Sequence, residues 1–269
     1  MSKHRILLQT NPTFVKTGLA ENAKTLLKYL YKTGKYDLGH YCTQGTLTSD
    51  PRLKLSPWHS FGSIPADQRI INEINSDPGK QRDAMYGAFN IDNVINEFKP
   101  TIWIGSDDIW GFPLHAYANK PWYNQINSIL HITVDSVPVL DAAYEQARVT
   151  KNYLTWAKFA ANEMKKQGTE YAHVNQIYGG MDITKFAPVS DSERNDLRAR
   201  FGITPNTVVF LFVGRNQLRK QFVSVLEAFA KFKKEHPQAE AKLHFHTAFH
   251  EQGQGWNIPK MAKYYVTVG

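Results

Sequence analysis

A single cysteine, Cys42, stands in a chain of 269 residues, so no internal disulfide can close. It has no Cys or His partners at metal-ligand spacing, which leaves it a core-type residue and removes any zinc-site reading. Missing too is an uninterrupted apolar stretch of roughly 18 residues, the length that crosses a bilayer. The apolar run after Met1-Ser-Lys-His-Arg5 is too short for a signal peptide, so a cytoplasmic setting is the default expectation. Neither Gly-x-Gly-x-x-Gly nor a Walker loop occurs, which excludes the usual dinucleotide enzymes and P-loop ATPases. No internal repeat or low-complexity segment is evident.

What is present is a moderate excess of base. Lys and Arg number 32 against 24 Asp and Glu, a net charge of +8 that favours anionic partners in general. The excess is scattered, and its denser groups, Lys165-Lys166 and Lys231, Lys233 and Lys234, fall at expected helix C-termini, where cations suit the helix dipole. The six tryptophans are spread along the chain rather than gathered on a basic arm, so nucleic acid is not expected as a partner. Peripheral contact with an acidic membrane surface stays open.

The order of periodicities gives the fold class. Arg5 to Thr10 reads as a buried strand, and Leu19, Ala23, Leu26, Leu27 and Leu30 then share one helical face that Gly34 ends. Tyr36 to Cys42 is a second strand, and 44–65, with Pro51, Pro57 and Pro65, reads as a long irregular connection. Ile91, Val94, Ile95 and Phe98 form another helical face before the strand 101–104, which opens onto Gly105-Ser-Asp-Asp-Ile-Trp110. Ile129 to Val134 and Asn152 to Thr155 are further strands. Alternation of this kind implies parallel βαβ units with ligands received at the strands' C-terminal ends, an α/β class of two Rossmann-like domains. The pattern breaks near Tyr178-Gly-Gly-Met-Asp182, predicting domains of 1–178 and 179–269. Val208 to Val213 begins the second series as a strand expected to be covered on both faces. Phe222, Leu226, Phe229 and Ala230 make its helix, and Tyr264 to Gly269 reads as the start of a third strand.

The loop Gly214-Arg-Asn-Gln-Leu-Arg-Lys220 carries the chemistry. It places Arg215 and Lys220 at the C-terminal end of a parallel strand and at the positive end of a helix. A guanidinium fork, a mobile ammonium and free helix N–H groups suit a diphosphate. The other reading of the same residues is a solvated surface loop. Asp107 and Asp108 could meet hydroxyls but are also ordinary turn formers, the reading favoured here. His244 and His246 alternate onto one strand face with His250 nearby, yet no carboxylate completes a site, and no metal is expected. His131 reads as structural.

Gly179-Gly-Met-Asp182 with Phe186 and Pro188, followed by a strand into Gly214-Arg215 and Lys220, resembles family 4 of the retaining glycosyltransferases. The resemblance extends to the Gly18 loop, to Gly105–Trp110 and to the Asp135–Pro138 turn. It implies the GT-B fold, with an N-terminal acceptor-side domain and a C-terminal nucleotide-sugar-binding domain. It also implies hexosyl transfer with retention from a nucleotide diphosphate sugar to a hydroxyl of a glycan, lipid or small molecule, with no cofactor beyond that co-substrate. Arg215 and Lys220 then stabilise the departing diphosphate, Gly214 and Gly18 approach the donor, and Asp135 lies near the transferred sugar.

The sequence departs from the family in two places. Gln221 stands where relatives carry glycine, and the glutamate pair that relatives place later in the second domain does not occur. Glu227 and Glu235 lie on its first helix and read as exposed. The expectation is therefore a C-terminally truncated chain that is inactive alone. The rival is a non-catalytic GT-B-like protein that binds a nucleotide or glycan.

Overall fold

The computed structural model describes residues 3–112, 117–249 and 255–268. The chain divides into two compact units, Met1–Phe186 and Ala187–Gly269. The segment from Gly179 to Phe186 therefore lies with the first unit. The Gly180 N–H donates to Asn22 Oδ1 at 2.8 Å, and a side chain on Gly179 would run into the Trp156 ring at 2.3 Å.

The first unit is built on seven parallel strands in the order β3-β2-β1-β4-β5-β6-β7. They are β1 His4–Thr10, β2 Tyr36–Leu47, β3 His59–Ile64, β4 Ile102–Asp108, β5 Asn127–Thr133, β6 Asn152–Thr155 and β7 Asn175–Gln176. Alternation along β1 feeds two cores. Ile6 and Leu8 point to one face with Ala23, Leu27 and Leu38. Leu7 points to the other, a larger cluster around Trp103, where Phe112, Tyr117, Trp122 and Tyr123 meet the indole at ring-centroid distances of 5.7–5.9 Å. Helix α1, Gly18–Thr33, covers the first face; Thr17 caps it by accepting from the Ala20 N–H, and Gly34 ends it in the left-handed conformation.

Two sequence expectations need correction in this unit, and two helices are added. The segment 44–65 is not an irregular connection, because β2 runs on to Leu47, Pro51–Leu55 forms a short 3-10 turn, and β3 pairs with β2. The polar residues Thr43, Thr46 and Ser63 that hid these strands are buried. Between β3 and the anticipated helix α4, Ile91–Phe98, lie two short helices, α2 Gln68–Asn75 and α3 Pro78–Met85, each capped by an aspartate, Asp67 and Asp77. Strand β4 continues to Asp108, pairing Asp108 with Thr133, rather than ending before Gly105. Among the described residues this unit also carries α5 Pro121–Gln125, α6 Asp141–Val149 and α7 Lys158–Lys165.

The second unit holds helix α8 Asp191–Arg200, strand β8 Val208–Val213, helix α9 Phe222–Glu235, strand β9 Ala241–His246 and helix α10 Ile258–Val268. β8 and β9 pair in parallel. Phe210 and Phe212 meet Phe229, Phe232 and Phe222 of α9, but the opposite face is bare, with Leu211 63% and Val213 62% exposed. β8 is thus covered on one face, not both. The C-terminal stretch is helical, not a third strand: Ile258, Met261, Ala262 and Tyr265 recur at helical spacing and are at least half-buried.

Candidate functional site

In the first unit the chain winds one way from β1 through β2 and β3 and the other way from β4 through β7, so the order reverses between β1 and β4. The crevice outside such a switch point receives ligands in open α/β sheets. The β1–α1 loop that borders it is fixed by a polar network. Asn11, buried, donates from Nδ2 to Thr17 Oγ1 at 2.9 Å and accepts at Oδ1 from Thr43 Oγ1 and Gln44 Nε2 at 3.3 and 3.2 Å. These bonds set Thr17 to cap α1 and place Gly18 as its first residue. A Cβ on Gly18 would touch nothing, and the residue opens onto a cleft of about 850 Å³ that also carries Lys24, Lys28, Trp156 and Asp182.

Asp107, next to last in β4, is buried, 3% exposed, with Oδ1 accepting the Asp108 N–H at 2.8 Å and Oδ2 without a hydrogen-bond partner among the described residues. Burial, with a smaller push from Asp108, raises its pKa to about 7. Because the folded pKa lies above the unfolded value, Asp107 costs no stability below about pH 4, and its cost grows as pH rises from there through 7. Asp107→Asn should therefore come nearest the wild type in thermal melts at about pH 3 and exceed it by ~2–4 kcal/mol at pH 8. A constant difference across that range would contradict this account. Asp108 accepts from Thr133 Oγ1 instead of capping a helix. Asp135, two residues past the end of β5, is exposed. His131 is structural, stacked flat on Trp156 at 4.6 Å with Nε2 2.7 Å from the Ile177 carbonyl oxygen; burial lowers its pKa.

In the second unit Gly214, Arg215 and Lys220 come together in the β8–α9 loop. Gly214 continues the ladder through its N–H to the His246 carbonyl, and a Cβ there would make only ordinary contact with Phe222 at 3.9 Å. Arg215, Arg219 and Lys220 are all exposed around the start of α9. That start is electrostatically open. No acidic residue occupies the first turn and Gln221 makes no side-chain cap, whereas α8 has Ser190 as cap and both Asp191 and Glu193 in its first turn.

Gln221 itself adopts φ 54°, ψ 40°, the left-handed region that glycine enters without steric cost. The departure from the family pattern therefore falls where backbone geometry asks for glycine. Gln221→Gly should raise the stability of this unit by about 0.5–1 kcal/mol in denaturant melts, and a loss of stability would refute that reading.

The residue that sequence reasoning missed is Asn216, wholly buried between exposed Arg215 and half-buried Gln217 in the loop. Its Nδ2 donates to the carbonyls of Trp256 at 2.7 Å, Ala248 at 3.1 Å and Phe249 at 3.4 Å, and its Oδ1 accepts the Trp256 N–H at 2.9 Å. Gly255 packs so closely that a Cβ would sit 2.5 Å from the Asn216 carbonyl oxygen. The loop bearing the basic residues is thereby clasped to the segment after β9. The one available signal was an asparagine, the side chain best able to satisfy backbone donors and acceptors at once, at a strand's end.

His244 and His246 lie exposed on one face of β9, and His250 is outside the described residues; among the described residues no group of three or more metal-ligating side chains assembles. Glu227 and Glu235 are exposed on α9. No helix among the described residues is long and apolar enough to cross a membrane.

No family model matches the chain. A 71-residue stretch is 34% identical to the D-inositol 3-phosphate glycosyltransferase of Corynebacterium kroppenstedtii, covering 26% of this chain and 16% of that protein. Among solved structures, HepE from Anabaena in complex with UDP and glucose superposes with a TM-score of 0.58 at 13% identity, over 98% of this chain and 66% of that one. The UDP-GlcNAc 2-epimerase from Neisseria meningitidis bound to UDP-GlcNAc gives 0.57 at 11% identity, over 98% and 69%. The chain thus spans about two thirds of these structures and a sixth of the curated relative's length. The fold is α/β and GT-B-like.

Proposed function

We propose that this chain belongs to a nucleotide-sugar-dependent glycosyltransferase that moves a hexosyl group to an acceptor hydroxyl with retention of anomeric configuration. The observation that carries the reading is the β8–α9 loop, where Arg215 and Lys220 flank an uncapped, acid-free helix start on a backbone that Asn216 pins. Charge grows on the diphosphate as the donor bond breaks, and preorganised positive groups stabilise that state without a metal or a protein nucleophile. The 34% identity over 71 residues to a glycosyltransferase supports the reading from sequence. Gly18, in the first unit's switch-point loop, leaves backbone exposed for close approach to substrate. Asp135 is assigned a place near the transferred sugar on family resemblance alone.

In this reading the working enzyme is longer than this chain, of which 1–178 serves the acceptor and 179–269 holds the interdomain segment and part of the donor-binding domain. The bare face of β8, with Leu211 and Val213 exposed, and the two-thirds share of each compared structure support it. A cytoplasmic setting fits, as does peripheral membrane contact where the acceptor is a lipid.

Calorimetric titration with UDP and GDP tests the donor site. Binding should be measurable in the wild type and lost in both Arg215→Ala and Lys220→Ala. A folded wild type that binds neither nucleotide, also when extended through its natural C-terminus, sinks the proposal.

A further inference from the structure

On the face of the first unit's sheet opposite α1, a second cavity of about 600 Å³ lies at the C-terminal edge, between the turn after β4 and helix α6. Its most prominent group is Trp110, an indole 49% exposed, although every other tryptophan of this unit is buried or half-buried. The turn that bears it is held from several sides. Gln146 Nε2, buried, donates to the Ile109 carbonyl at 2.6 Å, and Arg82 Nη2 donates to the Trp110 carbonyl at 3.4 Å. Gly111 lies so near Asp107 that a Cβ would meet that side chain at 2.7 Å. Tyr86 also lines the cavity, and burial raises the pKa of its phenol. An aromatic ring left in water on a backbone held this firmly has part of its ordering cost met in advance, which is what a binding platform requires.

The surroundings of the ring select a ligand class. Ile109, Phe112 and Leu140 give the cavity an apolar floor, while Asp83 and Glu145 stand with Arg82 at its polar wall. Two carboxylates against one guanidinium disfavour an anion, so neither a nucleotide nor a sugar phosphate fits this wall. A neutral pyranose does. One of its faces is a patch of C–H groups that lies flat on an indole, and its rim of hydroxyls both donates to carboxylates and accepts from a guanidinium.

We infer that this cavity is an uncharged-pyranose site with Trp110 as its stacking platform. It extends the proposed transferase reading by naming the acceptor class as a neutral sugar ring, but the site rests on the first unit alone and is read out without a donor. The experiment is saturation-transfer NMR of the full chain with D-glucose, D-mannose and D-galactose, and with glucose 6-phosphate as the charged counterpart. Saturation is expected on the ring C–H protons of at least one neutral sugar. Its affinity should fall about tenfold or more in Trp110→Ala and less in Trp110→Phe, and glucose 6-phosphate should bind more weakly than glucose. Glu145→Gln, on an exposed side chain, gives a second readout: weaker sugar binding with an unchanged melt. No transfer to any neutral sugar, transfer that persists in Trp110→Ala, or tighter binding of glucose 6-phosphate would each overturn the assignment. UDP binding at the Arg215 loop should not change in Trp110→Ala, so failure here is separable from failure of the donor-site reading.

Discussion

Arg215→Ala is expected to lower sugar-transfer turnover by about 10²- to 10³-fold, with a change in folding stability within about 0.5 kcal/mol. The contrast follows from where Arg215 sits. Its side chain is exposed at the end of β8, so truncation opens no cavity, while the neighbouring Asn216 goes on fixing the loop. In the proposed reading the lost interaction belongs to the transition state, in which charge develops on the departing diphosphate. Arg215→Lys should fall between the two, because it keeps the charge and loses the planar fork that bonds two phosphate oxygens at once. Lys220→Ala should be milder, about tenfold to 10²-fold, since an ammonium supplies a point charge alone. Steady-state kinetics with UDP- and GDP-sugars in the chain extended through its natural C-terminus, alongside melts, would decide the matter. Turnover by Arg215→Ala within threefold of wild type would exclude the leaving-group role.

The fold was legible wherever a single period ran long enough to be unambiguous. α1 was legible from its apolar face and closed by Gly34, and α4 and α9 by apolar faces closed before Pro100 and Pro237. The basic loop was legible because strand, glycine, charges and helix follow one another in sequence. Legibility failed where burial was polar or partners were distant. β2 and β3 continue through Thr43, Thr46 and Ser63, buried side chains that read as loop in one dimension. The C-terminal helix was mistaken for a strand because the β-branched run from Tyr265 to Val268 outweighed Ile258, Met261 and Ala262, the residues that set its period. The continuous apolar run of β8 was read as coverage on two faces, whereas only Phe210 and Phe212 have aromatic neighbours on α9. Trp110 and Asn216 illustrate the same limit at the sites. Sequence gave their identity, but one is significant for being exposed and the other for being buried.

Asn216→Asp should be the most destabilising nearly isosteric change in the second unit, and its cost should depend on pH. The amide nitrogen it replaces donates to three carbonyl oxygens within 2.7–3.4 Å. An oxygen there turns three attractions into lone-pair contacts, and ionisation adds a buried charge facing three negative dipole ends. The Oδ1 bond from the Trp256 N–H, at 2.9 Å, survives the exchange but cannot offset them. Both burial and these carbonyls push the introduced carboxyl's folded pKa above its unfolded value near 3.9. An acid raised in this way leaves the folded state least penalised below about pH 4, and stability is then lost as pH climbs through the folded pKa. The variant should therefore lose about 1–2 kcal/mol at pH 4.5, where a protonated carboxyl can still donate one bond, and 3 kcal/mol or more, by the same approximate scale, at pH 8. Asn216→Ala, which removes the bonds without introducing a charge, should cost about 2 kcal/mol at both pH values. Because the amide clasps the basic loop, UDP binding should weaken in step with stability in both variants, unlike Arg215→Ala, in which binding falls while the melt stays put. Equal losses for Asn216→Asp at the two pH values would mean that the amide does not hold the loop through those carbonyls.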